Sequence, residues 1–299
     1  MRMAIMVSVL IVAYNDSKLL QKNLPSVRSI MEGSGYSFEI VGVDNGSHDN
    51  SGEILSKNCD QVLRLERNRF FVPAFNFGLR ACRGDYVLFT CPDITWQTNV
   101  VGMIDYAKAH SRTLIAPVYY NEDGSPQYAI HNRRLGLTHV FFHMTPLGDF
   151  LDWHIAKLAI RRRSCYGGFE RGGPFLVDWT GAMFIVSAEI AQGLRGSDAS
   201  MPLCYHDADF CERLRAAGVK CVAFPTAKVN HLLRGTTSKD PRTSYQAASD
   251  FRTYVTKHWK RKRWILWPLV LFASVFSVSL LLIIHKTKPK RGLLTLRIG

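Results

Sequence analysis

The sequence lacks the phosphate-binding signatures of the commonest nucleotide-binding α/β enzymes. No Gly-x-Gly-x-x-Gly follows the first apolar segment, and no Gly-x-x-x-x-Gly-Lys-Ser/Thr occurs in the 299 residues. The first motif places a dinucleotide pyrophosphate at a helix N-terminus, and the second binds the phosphates of nucleoside triphosphates. Their absence argues against a dinucleotide-dependent dehydrogenase and against a P-loop enzyme.

Cysteine is present but forms no recognisable framework. The seven cysteines are an odd number, and no Cys-x-x-Cys occurs among them. The spacing of Cys204, His206, Cys211 and Cys221 fits no standard zinc site. Reduced thiols in a cytosolic compartment are the expectation.

Acidic residues are absent from residues 257–299, which contain ten of the Lys and Arg residues. Since the whole chain has a net charge of +14, the first 256 residues carry a net charge of +4. The basic excess is therefore a property of the C-terminal segment, and nucleic acid is not an expected partner.

The same segment contains an uncharged run of 21 residues, 264–284. A helix of that length spans about 30 Å, the thickness of a bilayer core. Lys260-Arg-Lys-Arg263 precedes the run, which fits the positive-inside rule with the large domain cytoplasmic, and a second basic cluster follows it. We expect residues 257–299 to form a membrane anchor in the cell inner membrane. A re-entrant helix and a buried core helix are the alternatives.

Apolar strand-like segments alternate with helix-like segments over the first 90 residues. This alternation predicts an α/β fold with a mostly parallel central sheet. The expected strands are Val7–Ala13, Phe38–Val43, Val62–Leu65 and Tyr86–Thr90, and the expected helices are Lys18–Met31, a helix from Gly52, and Ala74–Cys82.

Polar residues follow the ends of these strands. Each one alone is typical of a turn or a helix cap. Because parallel strands end at one edge of a sheet, together they predict a polar crevice that suits a nucleotide. The residues are Tyr14, Asn15, Asp44, Asn45, Asn76 and Asp93.

Six motifs stand out along the chain: Val9–Asn15, Val43–Ser51, Asn68 with Asn76-x-Gly78, Gly84–Phe89 with Pro92-Asp93, Val177–Met183, and His206–Gly218. Together they resemble the motifs of family 2 glycosyltransferases with a GT-A fold. Within that family they are most similar to rhamnosyltransferases that build O-antigen and related cell-surface polysaccharides. The resemblance covers roughly residues 7–235.

The resemblance implies a GT-A domain over residues 1–256, with a nucleotide-sugar half (1–120) and an acceptor half (121–256). It implies that Asp44 contacts the donor nucleoside and that Tyr14, Asn15, Asn45 and Asn76 border the same pocket. Asp93 would bind Mg²⁺ or Mn²⁺ at the donor diphosphate. His231 is either a further metal or phosphate ligand or a structural residue.

The resemblance also implies that Asp207 is the catalytic base. We expect a helix from about Asp209 to Ala217, with Asp209 as its cap and the positive helix end keeping Asp207 ionised. Trp179 and Gly181 would contact the acceptor. Two positions depart from the family pattern: His206 replaces the usual Glu, and Cys91 replaces the usual Asn or Asp.

The expected reaction is inverting transfer of rhamnose from dTDP-rhamnose to a polyprenyl-diphosphate-linked saccharide. The alternatives are a UDP-sugar donor, such as UDP-galactose or UDP-N-acetylglucosamine, and a non-catalytic membrane-anchored sugar-binding protein. Residues 152–163 contain a basic aromatic stretch that is either an interfacial helix or a solvated helix end.

Overall fold

A computed structural model describes residues 5–127, 130–135, 172–232 and 243–259, together with Pro268. Helices and strands alternate from β1 to β4, and strands also follow one another directly after that point. They are β1 (Met6–Ala13), α1 (Ser17–Glu32), β2 (Ser37–Asp44), α2 (Ser51–Asn58), β3 (Gln61–Arg64), α3 (Phe71–Ala81), β4 (Tyr86–Thr90), β5 (Ile94–Thr98), α4 (Val100–Ala109), β6 (Thr113–Tyr120), β7 (Phe175–Leu176), β8 (Met183–Ser187), α5 (Ala188–Gly193), α6 (His206–Ala216), β9 (Lys220–His231) and α7 (Thr243–His258).

The strands form one mixed sheet in the order β3-β2-β1-β4-β8-β6-β9-β5, with β7 paired to β9. Strands β3, β2, β1 and β4 are parallel. Strand β8 lies antiparallel between β4 and β6, and β5 and β7 both run antiparallel to β9. The predicted α/β class is confirmed, but "mostly parallel" describes only the first half. The antiparallel strands come from later segments of the chain, and local sequence patterns do not predict which distant strands these segments pair with.

Helices cover both faces of the sheet. Alternate residues of β1 belong to two separate apolar cores, Leu10 and Val12 to one, and Val9 and Ile11 to the other. Side chains of successive strand residues point to opposite faces, so this division is what a strand buried on both sides requires. Helices α3, α5 and α6 contribute to the first core, and α1 and α4 contribute to the second.

The strands and helices expected over the first 90 residues are present, with ends that differ by up to three residues. Gly218 ends α6 with φ +75°, as its position predicts. Helix α6 begins at His206 rather than at Asp209.

The predicted apolar span 264–284 lies outside the described residues except for Pro268, and residues 152–163 lie outside them entirely. Among the described residues, no helix has the length and apolar character needed to cross a bilayer. Helix α7 continues to His258, so the expected domain boundary after residue 256 falls inside this helix.

Candidate functional site

A cavity of about 380 Å³ opens at the sheet edge where β1 and β4 end. Its walls also include the starts of α3, α6 and α7 and the segment that precedes β8. Six of the predicted site residues line it: Tyr14, Asn45, Asp93, Gly181, Asp207 and His231. The structure therefore brings the predicted base and the predicted metal ligands into one cavity.

Asp93 and His231 are far apart in sequence but adjacent in the sheet. Strand β5 pairs antiparallel with the end of β9, so Ile94 lies opposite His231. The N–H of Leu232 donates to the carbonyl oxygen of Asp93 at 3.0 Å. As a result, Asp93 Oδ2 lies 3.8 Å from His231 Nε2.

Gln127 fixes the orientation of the His231 ring. Its Nε2 donates to the His231 carbonyl oxygen at 2.6 Å and to Asn121 Oδ1 at 2.7 Å. The amide oxygen of Gln127 therefore faces His231 Nδ1, 2.9 Å away, and accepts a hydrogen bond from the Nδ1–H group. This leaves the lone pair on Nε2, the ring nitrogen that lies 3.8 Å from Asp93 Oδ2.

Burial lowers the pKa of His231 to about 4, so the ring is neutral at neutral pH. A neutral imidazole whose other ring nitrogen is held by the Gln127 amide, beside the buried Asp93 carboxylate, fits a divalent cation. Among the described residues, no group of three or more His, Cys, Asp or Glu side chains could enclose a metal ion. Asp93 and His231 would thus hold the cation on one side, and donor phosphates would supply further ligands.

Asp207 lies in the first turn of α6, at the cavity wall. Its Oδ1 accepts the N–H of Ala208 at 2.9 Å. Burial is the largest influence on this carboxyl and raises its pKa above the usual value. Desolvation thus opposes the effect expected from the helix end, and ionisation of Asp207 at neutral pH stays a prediction. A raised pKa makes the carboxylate a stronger base.

Gly181 makes room for that carboxylate. A Cβ added to Gly181 would lie 2.8 Å from Asp207 Oδ2. The hydroxyl of Tyr119 lies within hydrogen-bonding distance of the carbonyl oxygens of Gly181 and Met183, at 2.6 and 2.7 Å, and this fixes the segment.

Asp209 does not cap α6, contrary to the expectation. Tyr205 occupies the N-cap position, and Asp209 is fully buried one turn further along the helix. Its carboxylate lies 2.8 Å from Arg213 Nε, 2.7 Å from Lys257 Nζ and 2.7 Å from His258 Nε2. These hydrogen bonds hold the pKa of Asp209 well below its usual range despite the burial.

Asn15 and Asp44 are outside the cavity lining and stabilise the loop after β2. Asn15 Oδ1 accepts the N–H of His48 at 2.8 Å, and Asp44 Oδ1 accepts the N–H of Ser47 at 2.9 Å. Asn45 combines both functions, since it lines the cavity and its Nδ2 donates to the Phe70 carbonyl oxygen at 2.9 Å.

Asn76 and Trp179 are also outside the cavity lining. Asn76 exchanges two hydrogen bonds with the backbone of Ser197, at 2.7 and 2.9 Å. Trp179 Nε1 donates to the carbonyl oxygen of Arg133 at 3.0 Å. Donor contact by Asn76 and acceptor contact by Trp179 stay predictions.

The sequence reasoning missed Asp16, which is buried and lines the cavity. It occupies the N-cap position of α1 but makes no side-chain capping bond there. Instead its Oδ2 accepts the N–H of Tyr14 at 3.1 Å. Asp16 and Asp93 both contribute, after burial, to the raised pKa of Cys91, so three polar groups crowd this end of the cavity. A carboxylate directly after Tyr14-Asn15 was the available signal.

An aromatic wall forms the apolar side of the cavity. Ring centroids of successive members lie 5.3 to 6.2 Å apart, and His206 stacks on one end of the wall at 4.8 Å. The wall consists of Phe71, Phe75, Phe89, Phe184 and Phe210. Its members come from α3, β4, β8 and α6, so the sequence gives no local sign of it.

Left-handed backbone conformations concentrate around the cavity. Phe70 and Ala182, with φ of 64° and 61°, line it, and Tyr205, with φ of 58°, precedes His206 and Asp207. Non-glycine residues adopt such values at an energetic cost, and they cluster at functional sites.

Several known proteins are similar to this chain. A glycosyltransferase, GlyG, of Streptococcus pneumoniae is 29% identical over 129 residues, which are 41% of this chain and 42% of that protein. An undecaprenyl-phosphate 4-deoxy-4-formamido-L-arabinose transferase of Pseudomonas fluorescens is 31% identical over 125 residues, which are 40% of this chain and 37% of that protein. The chain thus spans less than half the length of these relatives.

Solved structures show the same fold. GalNAc-T7, crystallised with UDP, GalNAc and Mn²⁺, superposes with a TM-score of 0.62 at 17% identity, over 84% of this chain and 48% of that one. The mannosyltransferase PcManGT of Pyrobaculum calidifontis, in complex with GDP-Man and Mn²⁺, gives 0.54 at 14% identity, over 85% and 65%.

The sequence of residues 8–166 matches the family described as Glycosyl transferase family 2. The match covers the strands that carry Tyr14, Asn45 and Asp93. Since it extends over more than half of the 299 residues, the chain belongs to glycosyl transferase family 2.

Proposed function

We propose that this protein transfers a sugar from a nucleotide-sugar donor to an acceptor hydroxyl with inversion at the anomeric carbon. One observation carries the proposal: a half-buried carboxylate with a raised pKa, Asp207, lines the same cavity as the Asp93–His231 pair. A base and a diphosphate-binding pair are the two elements that such a displacement needs.

In this reaction Asp207 removes the proton from the acceptor hydroxyl as that oxygen attacks the anomeric carbon. The bond from this carbon to the diphosphate oxygen breaks on the opposite face, and the electron pair leaves with the nucleoside diphosphate. Asp93 and His231 would hold a divalent cation, which would supply positive charge to offset the charge that develops on the leaving group. Asp16 also lines the cavity.

For the donor we propose a deoxysugar, with rhamnose from dTDP-rhamnose as the first candidate. The aromatic wall supports it, because a methyl group in place of a hydroxymethyl leaves no hydroxyl to be buried against phenylalanine rings. The UDP-sugar alternative is tested in the same experiment.

For the acceptor we propose a polyprenyl-linked saccharide at the cytoplasmic face of the inner membrane. Two features support it: the predicted membrane segment 264–284 with its basic flanks, and the Pseudomonas relative, whose name describes a transferase that uses undecaprenyl phosphate.

A thermal-shift screen of the full chain tests the proposal. The panel contains dTDP-rhamnose, UDP-galactose, UDP-N-acetylglucosamine, dTDP and UDP, each with Mn²⁺ and with EDTA. A ligand at 100 times its Kd adds about 2.7 kcal/mol to the free energy of unfolding, so a true donor gives a clear rise in Tm. Donors that raise Tm are then assayed for hydrolysis and transfer. If no nucleotide or nucleotide sugar raises Tm and none is cleaved, the proposal fails.

A further inference from the structure

Helix α7 packs against the loop that leads into the predicted base. Asp250, on this helix, accepts two backbone N–H groups of the loop with one oxygen, from Leu203 at 2.9 Å and from Cys204 at 2.8 Å. Its other oxygen accepts Gln246 Nε2 at 2.7 Å. The Asp250 side chain is fully buried and lies outside the cavity lining, so it cannot touch a ligand there.

The loop that Asp250 holds has an unusual backbone. Tyr205 follows directly with φ of 58°, and its ring packs on Phe251 and Tyr254 of α7, with centroids 5.1 and 6.1 Å apart. A left-handed residue with a bulky side chain persists only where its surroundings fix it. Two residues later the chain reaches Asp207.

The same helix also holds α6 beyond the base. Lys257 and His258 contact Asp209, which is fully buried two residues after Asp207. Tyr254 follows Asp250 by four residues, and Lys257 and His258 follow Tyr254 by three and four, so all of them lie toward one side of α7. That side fixes the backbone before and after Asp207.

We propose that Asp250 is a positioning residue for Asp207, acting through its hydrogen bonds to the 203–204 backbone. The inference rests on the proposed function, since it assigns Asp207 as base. Helix α7 is then part of the catalytic apparatus, although only its first residue, Thr243, lines the cavity.

The expected effect is on turnover rather than on donor binding. Without Asp250, two buried N–H groups lose their acceptor and the loop relaxes. A misplacement of about 1 Å at a reacting group lowers the rate by about 100-fold. Asp93 directly precedes β5 and His231 ends β9, and the pairing of these strands does not involve the loop, so nucleotide affinity should be retained.

The test compares full-length wild type with Asp250→Ala, Asp250→Asn and the control Glu39→Gln. In Asp250→Asn the remaining side-chain oxygen can still accept the N–H groups of Leu203 and Cys204. The new amide nitrogen then faces Gln246, whose amide must turn so that its oxygen accepts a hydrogen bond. Glu39 is also a buried carboxylate that accepts a backbone N–H, from Arg83 at 2.7 Å, but it lies at the opposite end of the strands. The measurements are kcat with the donor found above, the Kd of UDP and dTDP with Mn²⁺, and hydrogen exchange of the 201–208 amides.

We expect Asp250→Ala to lower kcat by about 100-fold with an unchanged nucleotide Kd, and to speed exchange in 201–208 but not in β1. Asp250→Asn should lie between it and wild type, and it serves as the test if the alanine variant does not fold. Glu39→Gln should keep its kcat. Wild-type kcat in both Asp250 variants, or equal losses in Glu39→Gln, would overturn the inference. If wild type itself cleaves no donor, the proposed function fails. In that case hydrogen exchange still tests the structural part of the inference, because equal exchange of the 201–208 amides in wild type and the Asp250 variants would refute the role of Asp250 in fixing the loop.

Discussion

Gly181→Ala probes the site with a single methyl group. The added Cβ would lie 2.8 Å from Asp207 Oδ2, whereas ordinary van der Waals contact begins at 3.4 Å. The carboxylate must therefore move by about 0.6 Å, the difference between these two distances. Gly181 is not among the residues with positive φ, so the substitution adds no backbone strain.

A displacement of that size at the base should be costly for turnover. Since about 1 Å of misplacement lowers rates by about 100-fold, we expect kcat to fall by about 10- to 100-fold. The nucleotide Kd and Tm should change little, because the methyl group meets only the end of a side chain. Steady-state transfer kinetics and nucleotide titration measure both quantities.

Gly193→Ala is the matched control. Gly193 is the last residue of α5, and a Cβ there would meet no atom within 4 Å. Its kcat should equal that of wild type, and its stability should be equal or slightly higher because alanine restricts the unfolded chain. Wild-type kcat in Gly181→Ala would refute the reasoning that the position of the Asp207 carboxylate limits the reaction.

Three further predictions follow from the site. Asp207→Asn should lower kcat by about 100-fold or more. Burial raises the pKa of Asp207, so the charged carboxylate destabilises the fold at pH values above that pKa. Asp207→Asn should therefore have a higher Tm than wild type at neutral pH, and the difference should disappear on acidification. Thermal melts over a pH series would measure it. Asp93→Ala should weaken nucleotide-sugar binding in Mn²⁺ but not in EDTA, and equal weakening in both would indicate a structural turn. Deleting residues 260–299 should leave a stable, nucleotide-binding protein that loses efficiency mainly on bilayer-embedded acceptors. Deleting residues 257–299 also removes Lys257 and His258, two partners of Asp209, and should lower Tm. Equal Tm values for the two deletion variants would contradict this.

Local pattern was enough to predict the first half of the fold. Apolar runs bounded by turn residues located β1, β2 and β4, which are buried on both faces, and the shorter, partly exposed edge strand β3; all four pair in parallel. The antiparallel insertion of β8 and the return of β5 to β9 depend on contacts between distant segments, which a local pattern does not contain.

The site divides in the same way. Tyr14, Asn45 and Asp93 could be predicted because they follow strands that end at one edge. The adjacency of Asp93 and His231 required the β5–β9 register. The start of α6 was misplaced because its N-cap is Tyr205, in a left-handed conformation that α7 supports and that no capping residue signals.

The Gln127–His231 contact has a thermodynamic consequence. An exposed histidine samples several rotamers and two tautomers, and a ligand that binds it must select one of each. Here the two hydrogen bonds between Gln127 and His231 make that selection during folding. The side-chain entropy of His231 is therefore lost on folding, where it lowers the stability of the domain, and is not lost again on each binding event. The affinity of His231 Nε2 for a ligand and the free energy of folding are therefore coupled through the Gln127 amide. A substitution that frees His231 from Gln127 would weaken binding although Nε2 itself is still present.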